Sequence, residues 1–508
     1  MSRFISIFLV KLIVFLSLAN SYKILCLYPT SSRSHLLFAQ PLLMALAEKG
    51  HQVTVVSPFP LGKSLENYND VVIPIDFEKR TAMAASIAKG ESSGNPLAIL
   101  RRLAKSVLDG TNVTLNHPDF QKIMKDKTFD AFISGFVVND FQLGLAAHFG
   151  CPSIVLFSLQ LTDMLNDVVG QPLHPESVPC MLSNYKGKMN FFQRVANLLI
   201  VAGEKLIGMY LTYLNRIYYE SNFPSEKYPS YDEVRKNVSL LLVNEHFSQG
   251  VVRPNLPNVI EVSGLQIPSK TSPLPDDIND FVEGAVDGLI FVSFGTNIKS
   301  KDLPKEKRDI LLKSFSGLKQ RILWKFEHDS IENLPSNVLT KKWLPQNDIL
   351  AHKNTKLFIS HMGLGSYVEA LYHAVPIIAI PFLGDQITNA AKILNEGWIE
   401  IILPSELTES NLKSTLDKML GTEKYANSVK ILSDLFKDKP MSPIDTAIYW
   451  IEYVIRHRGA THKKYPGVEL NFIQSNSLDV FGFLFVVAYI CIKLIQKSIT
   501  STIKRIIN

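Results

Sequence analysis

The chain reads as an α/β protein with two parallel-sheet domains that face each other across a cleft, followed by one C-terminal membrane-spanning helix. Three observations carry this reading. Short β-branched apolar runs alternate with helix-periodic segments in two separate blocks, the pattern of parallel sheets joined by helical crossovers. A stretch holding Pro254, Pro257, Pro268, Pro273 and Pro275 separates the blocks; proline clusters of this kind break regular structure. The segment from Leu478 onward is strongly apolar and ends in cations. The 508 residues suffice for two full cores, and 46% hydrophobic against 20% charged residues excludes a disordered chain.

Taken in order, residues 1–21 open with a basic residue, continue apolar and close on Ala19-Asn20-Ser21. That is the form of a cleaved secretory signal, although Lys11 interrupts the apolar run. The N-terminal domain is expected over 22–250. Lys23–Tyr28 is a strand ended by Pro29, residues 35–49 have helical spacing and stop at Gly50, and His51–Ser57 is a second strand. Phe129–Ser134, Asn139–Phe149 and Pro152–Ser158 repeat strand, helix, strand. Residues 185–222 form a long aromatic helix that can wall an apolar pocket, with Tyr210, Tyr213, Tyr218 and Tyr219 as either pocket lining or packing.

A linker is expected over 251–285 and a C-terminal domain over 286–460, where strands at Leu289–Phe294, Arg321–Phe326, Lys356–Ser360, Pro376–Pro381 and Ile399–Leu403 alternate with helices. The last of these helices is amphipathic, at residues 441–458. Residues 478–496 are the expected span. Only 13 uncharged residues separate Asp479 from Lys493, but Lys493 can snorkel, and the segment then reaches roughly 28 Å at 1.5 Å per residue. The basic tail, 497–508, would face the cytosol.

The distribution of charge excludes a nucleic-acid partner. The net charge is +6, and Arg3, Lys11, Lys493, Lys497, Lys504 and Arg505 at the two ends account for it, so the body is neutral overall. Four cysteines in this length form no disulfide framework. Asn112-Val-Thr and Asn237-Val-Ser fit the glycosylation acceptor pattern, as a lumenal body would allow.

The chemistry concentrates in KLFISHMGLGSYVEALYHAVPIIAIPFLGDQITN, residues 356–389. A strand ends at Ser360, His361, Gly363 and Gly365 make a turn, and a helix starts at Ser366. Unpaired N–H groups at a helix N-terminus, reached past small residues, seat a diphosphate. A second strand ends at Pro381 and puts Asp385 and Gln386 at the neighbouring mouth, an acceptor and an amide suited to sugar hydroxyls. Ser293-Phe294-Gly295-Thr296 and Trp343-Leu344-Pro345-Gln346 end or follow other strands in the same manner. No Asp-x-Asp and no His/Cys cluster of metal-ligand spacing occurs, so no metal and no other cofactor is expected. A Gly-x-Gly-x-x-Gly turn after a first strand is also missing, which argues against a dinucleotide-dependent dehydrogenase.

From Phe358 to Gln386 the spacing resembles the signature of the UDP-glycosyltransferases of animal microsomes, insect members above all: Ser-His, Gly363, Ser366, Glu369, Pro376, Pro381 and Asp385-Gln386. The likeness runs over nearly the whole chain. It implies the GT-B fold, two facing Rossmann-like domains, with a small lipophilic acceptor in the front half and a UDP-sugar, glucose foremost, in the back half. By this resemblance Trp343 stacks on uracil and Gln346 bonds the nucleotide. Glu369 holds the ribose. His361, Gly363, Ser366 and Thr296 contact the diphosphate, and Asp385 and Gln386 hold the sugar. His35, after the first strand, matches the family's catalytic base, and Asp140 is taken as its carboxylate partner, with Asp130 a surface or turn residue.

The implied reaction is a metal-independent inverting transfer, in a single-pass type I protein of the endoplasmic reticulum membrane with a lumenal body. A homo-oligomer is left open. Two departures stand out. Met362 replaces a small residue usual after the histidine, and Gly135 stands where many members carry an acid directly after the strand. They motivate a second reading, a non-catalytic binding protein on the same scaffold.

Overall fold

The computed structural model describes residues 21–30, 32–89, 96–183, 185, 187–249, 252–329, 331–382 and 385–507. Apart from Ser21, the expected signal segment lies outside them.

Seven strands form the first sheet: β1 (Lys23–Leu27), β2 (Gln52–Ser57), β3 (Tyr68–Val72), β4 (Ala131–Gly135), β5 (Ser153–Phe157), β6 (Val238–Val243) and β7 (Val259–Glu261). Their order is β3-β2-β1-β4-β5-β6-β7, and every pairing is parallel. The second sheet has β8 (Leu289–Ser293), β9 (Arg321–Lys325), β10 (Val338–Lys341), β11 (Thr355–Ser360), β12 (Ile377–Ala379) and β13 (Ile399–Ile401), in the order β10-β9-β8-β11-β12-β13, again all parallel. Most of these strands are buried along nearly their whole length, as continuous apolar runs covered on both faces must be.

The order of a doubly wound sheet reverses at one point, and ligands bind there, outside the carboxyl ends of the strands. That point lies between β1 and β4 in the first sheet and between β8 and β11 in the second. Helices around these two points or on the sheet faces include α1 (Arg33–Glu48), α2 (Pro96–Asn116), α3 (Phe191–Asn222), α4 (Tyr231–Lys236), α5 (Asp276–Glu283), α6 (Gln346–Leu350), α7 (Leu364–Tyr372), α8 (Asp385–Ile393) and α9 (Pro443–Arg456); α10 (Leu478–Ile507) follows them, exposed.

The lobes divide differently from the sequence expectation. β7 is the edge strand of the first sheet, so that lobe reaches past residue 250. Ile278 and Val282 of α5, placed in the linker by the prolines, pack in the core of the second lobe. Conversely, α9 returns to the first: Ala447, Ile448, Ile451 and Val454 share a core with Leu36, Leu42 and Leu43 of α1. Periodicity shows that a helix has an apolar face, but not which sheet that face covers.

Helix α10 runs unbroken to Ile507 with its apolar side chains exposed and is long and apolar enough to cross a bilayer; no break in the helix marks the expected boundary at 496. Helix α3 passes the same length and composition test, but Val201, Leu211 and Tyr219 are buried in the first lobe. Tyr219 bonds the Pro229 carbonyl and Tyr218 bonds Asp109, so both pack, while Tyr210 and Tyr213 are exposed.

Of the two expected glycosylation sites, Asn112 lies inside α2. Its side-chain Oδ1 accepts from Asn222 Nδ2 at 2.8 Å, and Thr114 is buried. Asn237 is exposed at the end of α4 and is the sterically open one.

Candidate active site

After β1 the chain turns through Pro29 and Ser32 into α1, where His35 sits in the first turn, half-buried. Its Nδ1 is hydrogen-bonded to Ser158 Oγ, at the carboxyl end of β5.

Asp140 is not brought to this histidine. Its Oδ1 accepts from Tyr231 at 2.7 Å and its Oδ2 is paired with Arg235 Nε at 2.7 Å, deep in the first lobe. The structure corrects its reading as the carboxylate partner: the turn after β4 directs Asp140 toward α4, away from the sheet mouth. Asp130, exposed, caps the Lys23 N–H at 2.7 Å as a turn residue does. Gly135, at the end of β4, lies against the Tyr28 ring. A Cβ there would sit 2.4 Å from Tyr28 Cδ1, so a side chain at 135 requires Tyr28 to move.

In the second lobe the turns after β8 and β11 fold around one imidazole. His361 is buried, and a Cβ on either Gly295 or Gly363 would lie 2.5 Å from its Nε2. Only glycine fits both walls, and Gly295 also has φ +83°. Burial, and then the charge of Lys325, push the His361 pKa down to about 4, so the ring is neutral; among the described residues its buried Nδ1 has no hydrogen-bond partner. Gly363 caps α7, and Thr296 lies half-buried on the β8 turn.

Gln346 Nε2, from the first residue of α6, donates to Glu369 Oε2 at 2.7 Å and to Ser366 Oγ at 3.0 Å, which joins three expected donor-binding residues in one network. Burial pushes the Glu369 pKa up to about 7, against the bond from Gln346, and Asp348 adds to the rise. Asp385 opens α8 and accepts from Asn389 at 2.9 Å; burial raises its pKa. Gln386 spends its carbonyl on the Phe382 N–H at 2.8 Å, so it braces the loop that carries Asp385.

The two strand mouths touch. Asn297, next to Thr296, donates to Ser32 Oγ at 3.4 Å, and the Arg33 guanidinium lies 5.3 Å from the centre of the Trp343 ring. The turn that carries His35 thus closes against the turns that hold His361 and Trp343.

The family model described as UDP-glucoronosyl and UDP-glucosyl transferase matches residues 23–508. The chain belongs to that family. It is a UDP-glycosyltransferase. A relative named UDP-glucosyltransferase 2, from Dactylopius coccus, is 35% identical over 95% of each chain. Mouse UDP-glucuronosyltransferase 1A1 is 27% identical over 91% of this chain and 88% of its own. Among solved structures, a UDP-glucosyltransferase from Polygonum tinctorium superposes with a TM-score of 0.56 at 14% identity, covering 86% of this chain and 99% of that one. The kitacinnamycin glycosyltransferase gives 0.55 at 15%, over 85% and 99%. These two fix the fold as GT-B.

Three residues of the glycosyltransferase cleft escape a reading by motif. Ser158 holds His35. Lys325, buried at the end of β9, bonds the Gly295 carbonyl at 2.9 Å and pairs with Glu327 at 2.5 Å, so it sets a cation beside His361. Arg33 covers Trp343. All three lie at or just past the carboxyl end of a parallel strand, and that position is the signal that could have found them.

Met362 has φ +67°, the left-handed conformation expected of the small residue it replaces. Its side chain is fully buried in the second-lobe core, away from the cleft. Asp163, Cys180 and Glu204 could together hold a metal ion by proximity, with ligand atoms within 4.8 Å of one another. The Asp163 N–H and the Cys180 thiol already bond the two Glu204 oxygens, at 3.0 and 3.1 Å. A cavity of about 1420 Å³ is lined by Tyr22, Asp130, Ser153 and Asn237 at the amino ends of the strands, opposite His35.

Proposed function

We propose that this enzyme transfers a hexose, glucose foremost, from a UDP-sugar to a small lipophilic acceptor held by the first lobe, in one displacement with inversion. The observation that supports this reading is the contact of Ser32 and Arg33, on the turn before His35, with Asn297 and Trp343, on the turns of the second lobe. The acceptor hydroxyl oxygen attacks the anomeric carbon, and His35 takes its proton. The bond from that carbon to the β-phosphate oxygen breaks, and UDP leaves with the electron pair. The growing negative charge meets the N–H groups opening α7, the neutral His361 ring and the Lys325 cation, dipoles and charge fixed before the reaction. Trp343 would stack on uracil, Glu369 would accept from the ribose, and Asp385 would hold the sugar. In this scheme the protein supplies the countercharge and no metal is used. Identity to an insect UDP-glucosyltransferase favours glucose over glucuronate.

Full-length protein in microsomes, given UDP-glucose or UDP-glucuronate with a panel of phenols, tests this reading by mass spectrometry of products. A glucoside that vanishes in His35→Ala is expected, and activity should persist in EDTA. A glucuronide formed at lower donor concentration overturns the donor, and a fully active His35→Ala overturns the base.

We further propose a lumenal body in the endoplasmic reticulum, anchored as a type I protein by α10. The supports are the apolar helix, its basic tail and the exposed Asn237. Endoglycosidase should shorten the wild-type protein but not Asn237→Gln, and protease outside intact microsomes should remove only the tail.

A further inference from the structure

We propose that Ser158 is the positioning residue of the base. Its hydroxyl, in the place where a carboxylate would orient the ring, holds His35 by Nδ1 and leaves proton transfer to Nε2. The inference rests on the reading of His35 as the base. Neither carboxylate position offered by the sequence serves. Position 135 is glycine, and the Tyr28 ring fills the volume a side chain there would need. Asp140 has one oxygen on Tyr231 and the other paired with Arg235. The atom found on His35 Nδ1 is Ser158 Oγ.

Ser158 is itself held firmly. It is buried at the end of β5; its carbonyl accepts from Asn244 Nδ2 at 3.0 Å, and the Asn244 carbonyl accepts from Ser263 at 3.0 Å. Asn244 and Ser263 therefore anchor the Ser158 backbone, and the Ser158 hydroxyl meets the imidazole at Nδ1.

The chemistry differs from that of a carboxylate pair. A carboxylate can only accept, so it enforces the Nδ1–H tautomer and stabilises the imidazolium that forms. A hydroxyl can also accept from Nδ1–H, more weakly, and it brings no charge of its own.

Full-length wild type, Ser158→Ala, Ser158→Thr and Ser158→Asp are compared in microsomes. Ser158→Ala should lower kcat roughly 10–100-fold, as loss of an orienting partner does elsewhere, with the KM for UDP-glucose unchanged. Ser158→Thr should restore most of kcat. Ser158→Asp should move the acid limb of kcat/KM up by about one pH unit or more, because a carboxylate beside the ring favours its cation. Carbethoxylation of His35 against pH, followed by peptide mass spectrometry, reads the same midpoint without turnover. Wild-type kcat in Ser158→Ala, or an unmoved His35 midpoint in Ser158→Asp, overturns the inference. A fully active His35→Ala instead overturns the reading beneath it.

Discussion

Replacing Met362 by glycine removes the departure that most invites doubt about the donor cradle, and the structure sets two opposing terms. The left-handed φ of +67° burdens a residue that has a Cβ by about 1–2 kcal/mol, which glycine relieves. The side chain, however, is fully buried among Leu364, Val368 and Ala390 in the second-lobe core, and truncating a buried methionine costs about 2–5 kcal/mol. Packing wins: Met362→Gly should destabilise by about 2 kcal/mol, a fall of about 4–8 °C in Tm for a domain of this size. Met362→Ala keeps the strain and loses the same packing, so it should be less stable than the glycine variant by about 1 kcal/mol, the reverse of the usual order. Donor KM should change less than about twofold. The backbone already bonds Ser360 Oγ through its N–H at 3.1 Å and Asn389 through its carbonyl at 3.1 Å, and the side chain points away from the cleft. Thermal unfolding and donor titration of the three proteins decide the matter. A higher Tm for Met362→Gly, or a donor KM several-fold lower, would refute the assignment of Met362 to the core.

Other perturbations separate donor binding from stability. The Glu369 carboxyl, with its pKa pushed up to about 7 by burial, gains protons as pH falls, and a neutral carboxyl accepts ribose hydroxyls more weakly than a charged one. KM for UDP-glucose should therefore rise below about pH 7, whereas Glu369→Gln should show a high KM with no such slope; equal wild-type KM at pH 6 and 8 contradicts this. Arg33→Ala uncovers the Trp343 ring. If uracil takes the face now covered, UDP affinity by tryptophan fluorescence should improve about 2–5-fold, the equivalent of about 0.5–1 kcal/mol; unchanged affinity means the nucleotide uses the opposite face. Asp140→Asn leaves Arg235 buried beside a neutral group, so it should lower stability by about 3 kcal/mol while the folded fraction keeps its kcat. A stable variant with kcat lost would reinstate Asp140 in catalysis.

The residue pattern alone determined the two parallel-sheet blocks, the apolar C-terminal helix and the turn-and-helix cluster around His361. Each depends on local order: β-branched runs, a helix start after a strand, glycines where a ring must approach. His361, Gly363, Ser366 and Glu369 stand within nine residues on one turn and one helix, so their spacing in sequence is their spacing in space. Only the tertiary structure decided what depends on long-range packing. It returned α9 to the first lobe and drew β7 into its sheet. It turned Asp140 toward Arg235, and it gave His35 to a serine 123 residues away. A hydroxyl at the end of one strand and an imidazole after another have no fixed relation along the chain. Their contact exists because β1, β4 and β5 lie side by side in the folded sheet, a fact of strand order that no local pattern encodes.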